Sequence, residues 1–241
     1  MLILAMESSA KPASVAVYKV SDPGAKEFAK ELAPGSCGTL LGQSFQNNGF
    51  SHSRTLLAMT ESLLKNLEIT PADIGLIAVA HGPGSFTGVR IGVSAAKGLA
   101  WGLDIPVCGV STLEAMAYQT QVSDVLICPV MDARREQVYN ALFQWQDGAL
   151  VRLCDDRAIS LDDLAADLRT YESPCLLVGD GVAVCKSNEA FSDCDAAPEL
   201  MRYQTAYGVA MAAMNAERIS AAELEPCYLR PSQAERERTN R

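Results

Sequence analysis

Histidine is scarce in this chain of 241 residues, where only His52 and His81 occur. Two imidazoles on one helix, the local core of many metal hydrolases, cannot be assembled at that separation. A G-x-S-x-G elbow is also missing, although the members of a Ser-His-Asp triad can lie far apart in a sequence. The eight cysteines, at 37, 108, 128, 154, 175, 185, 194 and 227, include no C-x-x-C pair, and most sit in apolar runs such as Val125-Leu-Ile-Cys-Pro129. Buried, reduced thiols are therefore expected, ahead of a disulfide frame or a zinc site. Long apolar runs are lacking too. The stretch from Val89 to Leu103 is interrupted by Arg90 and Lys97, so no segment has the roughly 20 residues that cross a bilayer. Met1-Leu-Ile-Leu-Ala-Met6 has no basic stretch before it and runs into Glu7, which reads as a first strand and not a signal peptide. Basic residues are the minority, 20 against 29 acidic for a net charge of -9. That excludes a surface that grips nucleic acid phosphates everywhere and leaves only local or partner-mediated contact. A cytoplasmic protein with no membrane contact is expected.

What is present is ordinary globular chain, with 49% hydrophobic and 20% charged residues. At about 150 residues per domain, the length lies between one large domain and two small ones. Two segments share a layout. Leu2-Ile-Leu-Ala-Met-Glu7 turns through Ser8-Ser-Ala-Lys-Pro12 and returns as Ser14-Val-Ala-Val-Tyr18; Val125 to Asp132 turns through Ala133-Arg-Arg-Glu136 and returns from Gln137 to Phe143. Each is an apolar run of buried-strand type that ends in a carboxylate before a hairpin turn. The pair reads either as a duplicated hairpin or as two ordinary hairpins that happen to look alike.

Between them, the leucines at 56, 57, 63, 64 and 67 predict an amphipathic helix with Glu61 and Lys65 on its polar back. Ile74 to Ala80 predicts a buried strand, followed by the turn His81-Gly-Pro-Gly84 and a helix capped by Ser85 or Thr87 that runs to Leu103. Strand, glycine turn, helix and the strand Val107-Cys-Gly-Val110 make an α/β unit. Further on, Ser160-Leu-Asp-Asp163 predicts a capped helix, Cys175 to Gly181 a strand with a glycine turn, and Tyr207 to Arg218 an Ala/Met-rich helix. Two lobes are expected, 1–117 and 118–241. The segment from Ser21 to Gly49, rich in Gly and Pro, is expected to be a mobile hairpin or loop.

Gly82-Pro-Gly-Ser-Phe-Thr-Gly-Val-Arg-Ile-Gly92 is the densest signal. Glycines at a helix N-terminus expose main-chain N–H groups to an anion, so the run reads as a phosphate cradle or as tight packing of turn and helix on a neighbour. It matches neither the P-loop nor the Rossmann fingerprint. The helix itself favours packing. Gly88, Gly92, Ala96 and Ala100 form a smooth stripe at i+4 spacing, while Val89, Ile91, Val93 and Leu99 spread apolar surface round the rest. A partner subunit or the preceding leucine helix must cover it. Arg90 and Lys97 share one side, for an acidic partner, a phosphate, or only solvent. Glu7 and Asp132 read as a Mg²⁺-holding pair of a phosphoryl-transfer site or as turn caps.

Together, Ile3-Leu-Ala-Met-Glu-Ser-Ser9, His52-Ser-Arg-Thr-Leu-Leu57, the glycine run continuing to Ala96-Lys-Gly-Leu-Ala100, Asp132-Ala-Arg-Arg-Glu-Gln-Val-Tyr139 and Pro226-Cys-Tyr-Leu-Arg230 resemble the bacterial TsaB (YeaZ) family, in order and over nearly the whole chain. The resemblance implies an α/β fold of the actin/Hsp70/sugar-kinase (ASKHA) type with two duplicated ribonuclease H-like lobes. It further implies a non-catalytic subunit for forming N6-threonylcarbamoyl on adenosine 37 of tRNA. Such a subunit binds the catalytic paralogue TsaD, has the ATPase TsaE as a further partner, and meets tRNA indirectly. TsaD-like relatives carry a His-x-x-x-His metal pair where this chain has Thr112 and Met116. No metal ligand, catalytic residue or cofactor is therefore expected, and a metalloprotease is disfavoured. The implied partner face, usable also for self-association, comprises Leu56, Leu57, Leu63, Leu64, Gly88, Val89, Gly92, Val93, Ala96, Lys97 and Ala100. The family's Asp-Thr-Ser after the first strand is Glu7-Ser-Ser9 here, and the longer acid crowds a Mg-nucleotide site. Glu7, Ser9 and Asp132 mark a vestigial nucleotide cleft. The rival reading is an ASKHA ATPase or phosphotransferase with Mg-ATP between the lobes.

Overall fold

A computed structural model describes residues 1–21, 38–49 and 52–230. The chain opens with the strands β1 (Leu2–Glu7), β2 (Ala13–Val20) and β3 (Gly38–Gln46), followed by helix α1 (His52–Asn66), strand β4 (Ile74–Gly82), helix α2 (Phe86–Leu103), strand β5 (Val107–Ser111) and helix α3 (Thr112–Tyr118). These strands make one sheet in the order β3-β2-β1-β4-β5, antiparallel across β1, β2 and β3 and parallel from β1 to β5. The second half contributes β6 (Leu126–Asp132), β7 (Gln137–Asn140), β8 (Phe143–Gln146), β9 (Ala149–Arg152), β10 (Arg157–Ser160), α4 (Leu161–Leu168), β11 (Cys175–Val178), α5 (Val182–Lys186), β12 (Asp195–Ala196), α6 (Glu199–Arg202) and α7 (Ala206–Ala213). Its sheet runs β10-β7-β6-β11-β12, with β8 pairing β6 and β9. The duplicated, carboxylate-ended hairpin is real: β1 pairs β2, and β6 pairs β7, at equivalent places in the two sheets.

Burial explains the continuous apolar runs. Along β1, Leu4 and Met6 face a core shared with α1 and α2, while Ile3 and Ala5 face a second core containing α3, α7 and residues of the other sheet such as Ile127, Phe143 and Val178. A strand covered on both faces has no solvent side to mark with polar residues. The outer face of the second sheet packs on α4 and α5, giving a third core around Leu142, Leu164 and Phe191. Alternating layers of helix and sheet, with a helical layer common to both sheets, form the two-lobed ASKHA arrangement.

Several local expectations hold. Ser85 caps α2 by accepting from the Gly88 N–H, and Ser160 caps α4 by accepting from Asp163. The seven described cysteines are free thiols, five of them buried, and Cys37 lies outside the described residues. No described helix is long and apolar enough to cross a membrane. One expectation holds in part and one is corrected. Of the segment expected to be a hairpin or loop, residues 38–46 form a strand that pairs antiparallel with β2, as in a hairpin; residues 22–37 lie outside the described part. The Ala/Met-rich helix stops at Ala213 and does not reach Arg218, because Ile219 must be extended to pair with Val107 on the edge of β5. The last described residues, 219–230, thus return to the first sheet.

Candidate functional site

The ends of β1 and β6 and the residues after β11 bring three carboxylates towards one another where the lobes meet. Glu7, Ser8 and Ser9 are fully buried. One oxygen of Glu7, Oε1, accepts from the Ser9 amide at 2.5 Å, while Oε2 has no partner. Loss of hydration pushes the Glu7 carboxyl up to about 7, against the lowering effect of neighbouring Ser9, and nearby Asp180 pushes it further. Asp180 is also raised, first by burial, despite accepting from Gln204 Nε2 at 2.9 Å; Asp132 adds to the rise and Arg134 opposes it. Asp132 itself is a turn cap, accepting from the Arg134 amide at 2.7 Å and lying 3.4 Å from the Arg134 guanidinium.

Asp180 and Gln204 are absent from the sequence reading. Asp180 lies in the glycine turn after the strand Cys175–Val178, but nothing in the sequence places it near Glu7. The donor set fits a Mg-nucleotide poorly. Half-protonated near neutrality, Glu7 is a weak ligand for a hard dication, and its neighbourhood is closed to water. Among the described residues no group of three or more His, Cys, Asp or Glu is arranged to hold a metal ion.

The glycine run resolves in favour of packing. A Cβ built on Gly84 would stand 2.4 Å from the Ser9 carbonyl oxygen, one on Gly88 2.1 Å from that of Ser8, and one on Gly92 2.5 Å from Ser8 Oγ. Ser85 N–H donates to Ser9 O at 2.6 Å. The glycines let α2 lie directly on the turn after β1, and the chain's own carbonyls fill the space an anion would need.

The structure also sorts the residues assigned to a partner face. Leu56, Leu63, Leu64, Gly88, Val89, Gly92, Val93, Ala96 and Ala100 are buried inside the chain, between α1, α2 and the first sheet. The smooth stripe faces inward. Leu57 remains 51% exposed, and on α2 the outward residues are Thr87, Arg90, Ser94, Gly98, Trp101 and Gly102, with Trp101 83% exposed. A Cβ at Gly98 or Gly102 would meet nothing within 4 Å. Arg90 and Lys97 are not simply solvated. Lys97 Nζ donates to the carbonyls of Ala222 and Leu224, and Arg90 Nε donates to the Tyr228 hydroxyl.

In α3, Thr112 and Met116 are fully buried. Thr112 Oγ1 has no hydrogen-bond partner, and Met116 Sδ lies against Gly179. Neither side chain replaces an imidazole, so the positions that resemble the metal pair do not fit a metal.

Residues 48–234 match the family model described as TsaD, tRNA N6-adenosine threonylcarbamoyltransferase. The chain belongs to the TsaD family. Within it, the resemblance to TsaB/YeaZ proteins is borne out. The chain is 43% identical over 136 residues to the "tRNA threonylcarbamoyladenosine biosynthesis protein TsaB" of Bacillus subtilis, covering 56% of this chain and 59% of that protein. It is 28% identical over 250 residues to the Haemophilus influenzae protein of the same name, covering 95% and 93%. The match to the Bacillus subtilis relative thus spans less than two thirds of that protein's length. YeaZ from Pseudomonas aeruginosa superposes with a TM-score of 0.74 at 23% identity, over 95% of this chain and 99% of that one, which establishes the shared fold of this TsaD-family member.

Proposed function

We propose that this chain is a non-catalytic subunit in the formation of N6-threonylcarbamoyladenosine at position 37 of tRNA. It binds and stabilises a TsaD-like catalytic paralogue, with a TsaE-like ATPase as a further partner, and it leaves most tRNA contact to other subunits. Its two lobes divide near residue 117. The observation that carries the reading is in α3: the family's two imidazole positions hold a buried threonine and a buried methionine. The net charge of -9 supports an indirect relation to tRNA.

The partner face is the outward side of α1 and α2, where Leu57 and Trp101 project beside the uncovered Gly98 and Gly102. The same face serves self-association when the paralogue is absent. The ATPase reading finds less support, since Glu7 is buried and easily protonated where a Mg-nucleotide needs an accessible carboxylate.

The test is calorimetric titration of a TsaD-like paralogue with the wild-type chain and with Leu57→Arg and Gly98→Arg, alongside a tRNA modification assay with and without the chain. These sites are exposed, so folding should be retained and binding lost. Binding unchanged in both variants would remove this face from the proposal. Modification that proceeds equally well without the chain would remove the function. Gly92→Arg or Ala96→Arg would not discriminate, because both sites are interior.

A further inference from the structure

The last described residues run as one continuous band from the edge of the first sheet to the second lobe. Ile219 and Val107 exchange two backbone hydrogen bonds, of 3.0 and 2.9 Å. Leu224 is buried among side chains of the α1/α2 core, and Lys97 holds the carbonyls of Ala222 and Leu224 at 3.1 and 2.8 Å. His81 grips the band from both sides of its own residue: its Nδ1 donates to Glu225 O at 3.1 Å, and its carbonyl accepts from the Cys227 amide at 2.7 Å. Two glycines make room for this seating. A Cβ on Gly82, which has φ of +128°, would stand 2.2 Å from Cys227 O, and one on Gly109 would meet His81 and Leu224.

Tyr228 then stacks on Phe86 at the start of α2, with ring centroids 4.4 Å apart and planes 23° apart. Arg90 lies 4.0 Å over the Phe86 ring and hydrogen-bonds the Tyr228 hydroxyl at 2.8 Å. Two residues later the band crosses lobes, and Arg230 Nη1 donates to the Ala133 carbonyl at 2.8 Å. Ala133 opens the turn of the second acid-ended hairpin, where Arg134, Arg135 and Glu136 all have positive φ, of 65°, 56° and 55°. Such a backbone is costly for residues with a Cβ, so it persists only where its surroundings hold it.

We propose that residues 219–230 form a strap which, anchored by the Tyr228–Phe86–Arg90 stack, holds the Asp132–Glu136 turn in its left-handed conformation and so couples the start of α2 to the carboxylate hairpin of the second lobe. An event that draws Tyr228 off Phe86 on the outer side of α2 withdraws Arg230 from Ala133 and releases the turn. This coupling does not depend on the function proposed above.

Amide hydrogen exchange on the full-length chain tests it, comparing wild type with Tyr228→Ala, Tyr228→Phe and Arg230→Ala. The reporters are the amides of Ala133 and Arg134, which donate to Gln137 O and Asp132 Oδ1. Tyr228→Ala and Arg230→Ala should each speed their exchange at least tenfold while leaving Val130 and Val89 within twofold. Tyr228→Phe, which keeps the stack, should change it less than threefold. If Tyr228→Ala lowers the thermal midpoint appreciably, Tyr228→Leu takes its place, preserving apolar bulk without the ring stack. Exchange at Ala133 and Arg134 within twofold of wild type in both truncations overturns the proposal. An effect of Arg230→Ala alone also overturns it, since Arg230 would then be a local contact and not the end of a strap.

Discussion

The hydroxyl of Ser8 donates to the carbonyl oxygen of Gly88 at 2.9 Å, joining the turn after the first strand to the first turn of α2 across 80 positions of sequence. Contact this close requires that residue 88 have no side chain, and it explains why the glycine run is a packing device.

Gly88→Ala should therefore destabilise the fold sharply. The added methyl group would sit 2.1 Å from the Ser8 carbonyl oxygen, and backbone cannot yield as a flexible side chain can. Overpacking of this kind costs about 1–3 kcal/mol or more, visible as a fall in the denaturation midpoint. Gly98→Ala, in open space on the same helix, should be neutral or stabilising by up to about 1 kcal/mol. Equal effects at the two sites would contradict this packing.

Glu7 makes stability depend on pH. Its carboxyl is raised from 4.5 to about 7 by burial, so between those values the folded chain binds more protons than the unfolded chain, and stability falls as pH rises through that window. Below about 4.5 both states are protonated and this penalty is absent; above about 7 it is complete. Glu7→Gln keeps an acceptor for the Ser9 amide and removes the buried charge, so it should stabilise the protein at pH 8 by up to about 3 kcal/mol and by much less at pH 4.5. Raised Asp180 acts in the same direction and remains in the variant. Chemical denaturation at the two pH values measures the difference, and a Glu7→Gln effect independent of pH would contradict it.

Thr112→Val should stabilise the fold. The Thr112 hydroxyl is buried without a partner, and an unsatisfied polar group costs about 1–3 kcal/mol relative to one that is hydrogen-bonded or absent. Replacing it with a methyl group of similar volume should recover about 1 kcal/mol in thermal or urea denaturation. Destabilisation would show that the hydroxyl has a partner in solution.

Much of the architecture was legible because local signals agreed. The apolar runs of β1, β4 and β6 mark strands covered on both faces, and Ser85 and Ser160 cap the helices that follow them. The absence of imidazoles at 112 and 116 is visible in the sequence and survives as a buried threonine and methionine. The facing of α2 was not legible. An apolar helix with small residues on two sides does not reveal which side meets its own sheet, and only the docking of Gly88 and Gly92 on Ser8 turns Gly98, Trp101 and Gly102 outward.

The sequence by itself determined the α/β class, the two acid-ended hairpins and the places where the helices after residues 85 and 160 begin, because these depend on periodicity and on residues a few positions apart; that the two hairpins occupy equivalent places in two sheets needed the structure. Tertiary structure alone decided that Asp180 lies near Glu7, that Arg90 and Lys97 hold the chain's own C-terminal segment, and that the strap from 219 to 230 joins both lobes. Those relationships link residues 97 or more positions apart. Their energies come from burial and close approach, which no local pattern encodes.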